Sequence, residues 1–386
     1  MNLMMLAEGD SERSSTAGSG IPNAIVRHLR SQGHQVTTGD VDLDGLDKIV
    51  GAAFSFSPKR QRWVVGYHLG ALPFALRSRR AVKRVKPLKG QLDAVIQWGA
   101  TFSSAPSGVP YFLYCDSNIH ISRHSSHSWA ASLAPVEIEQ AITREQTVYE
   151  NAAGIFTLSE CVRRSFVNDL SIPADRVETV YAGHNLDGAP LPPHARSSGQ
   201  QTAPNVLFVG REFARKGGDL LLRAFERVRQ VIPDATLTLV GPKDLPLSAP
   251  GVQSLGLLNK DDPADFRRLA QAYERATVFA FPTRFEPFGI VLLEAMFFGL
   301  PCVAPRVWAV PEIVQDEETG LLFEPESVDG LTTALVTVLR NPELATRMGC
   351  AGRKRVESQF TWEQVAAKMA RRIDAWLHPV AVGQEG

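Results

Sequence analysis

The stretch Phe281-Pro-Thr-Arg-Phe-Glu-Pro-Phe-Gly-Ile-Val-Leu-Leu-Glu-Ala-Met-Phe-Phe-Gly-Leu-Pro-Cys-Val-Ala-Pro305 sets the reading of the whole chain. The apolar run Val278 to Phe281 predicts the end of a buried strand, and Pro282 and Pro287 bracket a loop. Gly289 to Phe298 predicts a buried helix, stopped by Gly299-Leu-Pro301. Glu286 then falls in the loop, whereas Glu294 falls inside the helix, about a turn and a half past its start. A carboxylate within so apolar a helix needs a reason. Between the two, the backbone N–H groups of Gly289, Ile290 and Val291 lack helical partners and form an anion site. Two hydroxyl-binding carboxylates flanking a phosphate-binding helix end suit a sugar nucleotide.

Upstream of this stretch, Asn205 to Val209 predicts the first strand of the same sheet, followed by the loop Gly210 to Gly218. Leu221, Ala224, Phe225, Val228 and Val231 then recur at helical spacing. Arg211 and Lys216 project from that strand's carboxyl end toward the crevice of the Glu286 loop, where cations beside a helix N-terminus neutralise a diphosphate. Strands at Thr236 to Val240, within Val252 to Leu258 and at Cys302 to Ala304 continue the sheet, and a helix covers Asp265 to Arg275. Helices occupy most of the remainder, the last from Trp362 to Leu377 with a capping box on Thr361 and Gln364. Gly188 to Pro204, with hardly a large apolar residue, reads as a linker.

Ahead of the linker the same alternation appears. A strand at Asn2 to Ala7, a loop from Glu8 to Gly20, a helix from Pro22 to Gln32 and a strand near Gln35 to Thr38 open a doubly wound sheet. Gly18-Ser-Gly20 lacks the third glycine of a dinucleotide fingerprint, so Gly20 either touches a phosphate or only makes the turn. Asp40-Val-Asp42-Leu-Asp44 has the Asp-x-Asp form that can hold a metal; the plainer reading is an acidic turn whose carboxylate caps the next helix. Further strands are expected at Leu92 to Gln97, Tyr111 to Tyr114, Gly154 to Leu158 and Val177 to Tyr181, with a helix from Pro135 to Asn151. Asp116 and His120 follow a strand's carboxyl end, which places them as candidates for reaching a reacting centre. His120, His124 and His127 have a spacing that would stack them on a helix as metal ligands, although the serines between them predict a loop.

Seven cations, Arg77, Arg79, Arg80, Lys83, Arg84, Lys86 and Lys89, follow a mixed aromatic and aliphatic segment with no acid among them. Two main readings stand, a solvated helix face and a surface that meets anionic lipid or an anionic acceptor. At 386 residues the chain predicts two or three domains, and zero formal net charge gives no general case for nucleic acid. Four cysteines without a CxxC, no signal-peptide core and no membrane-length apolar run predict reduced thiols in a cytoplasmic protein, peripheral at most to the inner membrane face.

Val209-Gly-Arg211 with Lys216-Gly, Pro282-Thr-Arg-Phe-Glu286-Pro-Phe-Gly289, the Glu286-x7-Glu294 pair and Phe360-Thr-Trp-Glu363 together resemble family 4 glycosyltransferases. That resemblance implies the GT-B fold, an α/β architecture of two Rossmann-like domains facing each other across a cleft. The expected domains are residues 1–187 on the acceptor side and 205–361 on the donor side, joined by the linker 188–204, with a final helix in 362–386 packing back on the first. It implies that Arg211 and Lys216 hold the donor diphosphate with the amides of Gly289 and Ile290. Glu294 would bind the ribose, Glu286 the transferred sugar, and Leu257 or Leu258 would lie near the base. Gly20, Gly210, Phe288 and Val291 complete the expected donor site, and Asp116 or His120 stands where the family often has a histidine. The family transfers with retention, needs no bound metal, and lets the donor phosphate take the acceptor proton. The implied reaction moves a hexose from a nucleotide sugar to a saccharide or lipid-linked acceptor, as in cell-envelope or exopolysaccharide synthesis. An epimerase or phosphorylase on the same fold, or a non-catalytic nucleotide-sugar binder, is the alternative.

Overall fold

Short apolar runs bounded by Gly, Pro and polar residues become strands, the central ones buried on both faces as parallel sheets require. The computed structural model describes residues 1–13, 20–186, 204–242 and 249–378, so Gly18 and almost all of the expected linker 188–204 lie outside the described residues. The chain divides into one unit formed by Met1–Ala182 with Trp362–Gly386 and another formed by Gly183–Thr361.

In the first unit the strands are β1 (Asn2–Ala7), β2 (Gln35–Asp40), β3 (Ala94–Trp98), β4 (Tyr111–Cys115), β5 (Gly154–Thr157) and β6 (Val177–Thr179). They form a six-stranded parallel sheet in the order β2-β1-β3-β4-β5-β6. Its helices are α1 (Ile21–Ser31), α2 (Gly45–Phe54), α3 (Arg60–Leu69), α4 (Ala71–Val85), α5 (Ile119–Arg123), α6 (Pro135–Asn151) and α7 (Glu160–Asn168). Connections from β1 run first to one side and then to the other, so the strand order reverses between β1 and β3. Ligands of doubly wound sheets bind outside the carboxyl ends at such a point.

The second unit repeats the plan. Its strands are β7 (Asn205–Val209), β8 (Thr236–Val240), β9 (Val252–Ser254), β10 (Val278–Ala280), β11 (Cys302–Pro305) and β12 (Gly320–Phe323). They lie in the order β12-β11-β10-β7-β8-β9, again all parallel, so the reversal falls between β7 and β10. The helices are α8 (Gly218–Val231), α9 (Pro263–Arg275), α10 (Ile290–Phe297), α11 (Val310–Ile313), α12 (Val328–Arg340) and α13 (Pro342–Gln359). Val206, Phe208, Leu221, Phe225, Leu237, Val303 and Leu335 meet in one buried core between the sheet and two of these helices.

The closing helix α14 (Trp362–Leu377) belongs to the first unit. Trp376 stacks on Phe112 at 5.4 Å and lies 5.3 Å from Phe156. Gly154 makes room for that indole, because a Cβ there would overlap the ring. Gln32 donates to the Glu363 carbonyl at 2.8 Å, Lys368 to the Thr179 carbonyl at 2.6 Å and Trp376 Nε1 to the Asp175 carbonyl at 3.2 Å, tying the start, middle and end of the helix down.

Several expectations need correction. Arg77 is wholly buried, not part of an exposed basic face. On α4 the buried positions are Pro73, Arg77, Ala81 and Val85, a strict four-residue stripe, so helical geometry turns Arg77 inward. Asp44 does occupy the N-cap of α2, yet its side chain makes no cap hydrogen bond and takes a bidentate pair from Arg80 at 2.7 and 2.6 Å. Asp40 accepts from the Gly9 and Asp42 backbone N–H groups at 2.9 and 2.7 Å, which is turn chemistry. The three histidines do not share one helix, since α5 ends at Arg123. Among the described residues no group of three or more His, Cys, Asp or Glu is arranged to hold a metal.

Candidate active site

Two loops meet at the β7/β10 reversal. The turn 210–217 leaves β7 and leads into α8, while 281–289 leaves β10 and leads into α10. Gly217, with φ of 72°, caps α8 against the second loop; a Cβ there would overlap the Pro282 carbonyl oxygen. Gly289, with φ of 107°, caps α10, where a Cβ would press on Glu286 Cγ and Leu292 Cδ1, each at 3.2 Å. Both positions demand glycine on backbone grounds.

That approach brings Lys216 and Glu286, 70 residues apart, into direct ion-pair contact. Lys216 Nζ also lies 4.9 Å from the Phe281 ring centroid. Desolvation pulls the ammonium below the ordinary lysine range, although the Glu286 carboxylate acts to raise it. Arg211 is exposed on the same turn and makes no side-chain hydrogen bond or ion pair among the described residues. Gly210 lets Lys216 fold back over it, with Lys216 Cγ only 3.1 Å from where a Cβ would sit.

Glu294 lies one layer deeper and is fully buried. Its carboxylate contacts Lys260 Nζ on one oxygen and accepts from Tyr273 Oη at 3.1 Å on the other. Tyr273 is stacked on Phe298 at 5.3 Å, and burial drives its phenol well above the usual range. A carboxylate is buried at tolerable cost only where groups of this kind bond it. Leu257 is exposed and Leu258 buried on the segment that precedes Lys260, and Phe288 is buried against Phe360 at 6.5 Å. Ile290 and Val291 are the first residues of α10.

Sequence reasoning did not find the residues that brace these loops. Arg215 donates to the Phe285 carbonyl at 2.7 Å and pairs with Glu212 at 2.7 Å. Arg284, nearly buried, runs the other way: it holds Asp219 at 2.6 and 2.9 Å, Glu326 at 2.7 Å and the Ala214 carbonyl. Its carboxylate partners, Asp219 first, raise the Arg284 guanidinium, and the hydrogen bond from Arg284 in turn depresses Asp219. Trp308, held at φ of 50°, donates to the Arg284 carbonyl at 3.2 Å and sits edge-on to Phe285 at 4.9 Å. A tryptophan in the left-handed region is costly, which marks this loop as over-determined by its surroundings.

The remaining candidates fall in the first unit. Gly20 has φ of 86° and caps α1. Asp116 is exposed just after β4. His120 is half-buried on α5, 3.7 Å from the Asp169 carboxylate and 5.1 Å ring to ring from His124; desolvation lowers its pKa. Asn118 caps α5 through the Ile121 N–H at 2.8 Å. Beneath them lies Glu145, unremarked in the sequence, accepting from the Ile119 N–H at 3.0 Å and Tyr149 Oη at 2.7 Å. Burial without a contacting cation pushes Glu145 up to about 7.

Two Rossmann-like units, one with a cation and carboxylate pair at its strand-order reversal beside a glycine-capped helix, define a nucleotide-sugar enzyme of the GT-B class. Solved structures agree on the fold. Sucrose-phosphate synthase from Thermosynechococcus elongatus matches with a TM-score of 0.71 at 23% identity over 96% of this chain and 97% of its own. A glycosyltransferase from Rickettsia africae matches with a TM-score of 0.66 at 14% identity over 98% of this chain and 99% of its own. The profile of the glycosyl transferases group 1 family matches residues 203–341. A GDP-mannose-dependent alpha-(1-6)-phosphatidylinositol monomannoside mannosyltransferase of Mycolicibacterium smegmatis is 30% identical over 75% of this chain and 79% of its own length. The chain belongs to the group 1, or family 4, glycosyltransferases and is a nucleotide-sugar-dependent hexosyltransferase.

Proposed function

We propose that the β7/β10 loops bind the nucleotide-sugar donor, with Lys216 and Arg211 neutralising the diphosphate as the bond to the sugar breaks. The observation that carries this is the Lys216–Glu286 contact beside the Gly289-capped end of α10. Desolvation strengthens an ammonium aimed at developing phosphate charge, and the helix N–H groups add to it. Glu286 faces the transferred hexose, Glu294 takes the ribose hydroxyls, and Leu257 or Leu258 flanks the base. The leaving phosphate accepts the acceptor's proton and configuration is retained. Asp116 or His120 is the first unit's contribution near the reacting centre.

The M. smegmatis relative names GDP-mannose and a phosphatidylinositol mannoside, which makes a GDP-hexose the first donor and a polyol-headed lipid the first acceptor class to test. Thermal-shift titration with guanosine, uridine and adenosine diphosphates reads the base directly, since a ligand of the native state raises its melting temperature. Failure of all three to raise it sinks the donor-site reading.

The lipid reading has support on the first unit. Arg79, Lys83, Arg84, Lys86 and Lys89 remain exposed after Arg77 is withdrawn. Beside them, Leu46, Ile49 and Phe54 of α2, together with Phe56, expose 65–79% of their surface. A cavity of about 580 Å³ opens next to Phe54 and Phe56, lined also by Leu69, Leu133, Arg62 and Arg144. Among the described residues no helix is long and apolar enough to cross a membrane, so contact of this kind is peripheral, at the inner membrane face. Co-sedimentation with anionic vesicles that is unchanged by salt and by Phe54→Ser would remove it.

A further inference from the structure

The backbone that leads into Glu286 is held from several sides. The Arg284 N–H donates to the Arg215 carbonyl at 3.0 Å, and the Phe285 carbonyl accepts from Arg215 Nη1 at 2.7 Å and Thr283 Oγ1 at 3.3 Å. Asp219, Glu326 and the Ala214 carbonyl fix the Arg284 side chain. What remains is the Arg284 carbonyl, and it accepts from Trp308 Nε1 at 3.2 Å. The same indole meets the buried Phe285 ring edge to face, at 4.9 Å and 78°. Trp308 thus grips the 284–285 peptide by one hydrogen bond and one ring contact.

The backbone at position 308 does not favour a tryptophan. The Val310 N–H donates to the Val307 carbonyl at 3.0 Å, which makes 307–310 a β-turn. Trp308 takes its first central position with φ of 50°, and Ala309 its second with φ of −83° and ψ of −2°. A positive φ followed by those angles is the pattern of a type II′ turn, where the first central residue is normally glycine. Core packing does not require the indole either, since Trp308 is only partly buried. Among the described residues five non-glycine residues have a positive φ, and two of them, Trp308 and Glu326, bond to Arg284. Backbone strain therefore converges on a loop residue two positions ahead of Glu286, and strain of this kind persists where a site needs it.

We propose that Trp308 is a positioning residue for sugar transfer, its indole holding the Arg284–Phe285 peptide so that the Glu286 carboxylate is fixed toward the transferred hexose. The role rests on the reading of Glu286 as the hexose-facing carboxylate. A glycine at 308 would suit the turn better, yet it would release one carbonyl and one edge of Phe285 beside that carboxylate. The place in the sheet agrees, because Trp308 lies just past the carboxyl end of β11, the neighbour of β10, at the end where such sheets hold ligands. Lys216 contacts Glu286 from the other loop, so a looser 284–285 peptide would disturb that pair as well.

A double-mutant cycle on the full-length protein tests this, with Trp308→Gly made in the parent and in Glu286→Gln. In the parent, Trp308→Gly is expected to lower kcat/KM for the nucleotide sugar about tenfold; in Glu286→Gln, where there is no carboxylate left to position, by less than about twofold. Nucleoside diphosphate lacks the hexose, so its affinity by calorimetry should stay at the parent's value. Trp308→Phe keeps a ring and the strained turn but loses the N–H donor, and should cost about threefold. It runs through the same cycle if the glycine variant fails to fold. Unchanged turnover, equal losses in both backgrounds, or nucleoside diphosphate affinity that falls with turnover would overturn the proposal. Full activity of Glu286→Gln alone would sink the hexose reading of Glu286, and the role of Trp308 with it.

Discussion

The two strand-order reversals are built on one plan and finished differently. At β7/β10 most charges are matched by the protein, with Arg211 left exposed: Lys216 meets Glu286, Lys260 and Tyr273 meet Glu294, and Arg215 and Arg284 lace the two loops together. At β1/β3 the buried Arg77 holds the Glu8 carboxylate, while Arg77 Nη2 and Tyr67 Oη are buried without a hydrogen-bond partner among the described residues. A site that stabilises charge during bond breaking gains from groups already in place, because no reorganisation is needed at that moment.

The largest effect should separate the two. Lys216→Ala is expected to lower turnover about 10²–10³-fold, the usual cost of losing one charge-stabilising group, and to reduce donor hydrolysis in parallel. If it instead raised only the acceptor KM, the assignment of roles would be reversed. Because desolvation lowers the Lys216 ammonium from 10.5, activity should also fall on the alkaline side earlier than an ordinary lysine would require. Lys216→Arg should push that limb upward.

Next in size is Glu294→Ala. Two hydroxyl bonds to a buried carboxylate are worth about 1.5–3 kcal/mol each, so nucleoside diphosphate affinity measured by calorimetry should fall by at least about 100-fold. Retained affinity would mean that Lys260 and Tyr273 serve Glu294 as a structural cluster only.

These residues were legible in the sequence to different degrees. Gly289 and the Glu286 to Glu294 spacing could be read because strand, loop and helix start are local patterns. Arg215, Arg284 and Lys260 were not, since their partners lie 70, 65 and 34 residues away and nothing local encodes an ion pair of that span. Arg77 is the instructive case. It was placed in a basic surface because a charge run shows what is present, whereas the spacing Pro73, Arg77, Ala81, Val85 shows which way it faces. Helix α2 was expected only as the helix after the acidic turn, and α3 was passed over, because Gly66 and the irregular run of polar and apolar residues leave it little periodicity.

A smaller effect is expected from Arg284→Lys. A lysine keeps the charge but loses the fork that joins Asp219, Glu326 and the Ala214 carbonyl. The loops would loosen, with kcat down about tenfold, as a misplacement of roughly an ångström or less can cause. Unchanged kcat with a lower melting temperature would show that the bracing serves stability alone.

The smallest effect on turnover, and the sharpest contrast between carboxylates, belongs to Glu145. Against desolvation, which raises it, Glu8 is held down by the His68 hydrogen bond and the Arg77 guanidinium, so its contribution to stability is present above its unfolded value of 4.5 and fades as pH falls. Glu145 is raised by burial from 4.5 to about 7, so between those values the folded protein keeps a proton that the unfolded chain releases. Stability should therefore decline as pH rises through that window and level off above about 7, by at most about 3 kcal/mol. Glu145→Gln keeps an acceptor for the Ile119 N–H or Tyr149 Oη and carries no proton to lose. Chemical denaturation at pH 5.5 and 8 should show the variant with a flatter dependence and near-parental turnover. An unaltered slope would mean that this carboxylate stays ionised under α5, and that both units hold their buried acids with charge.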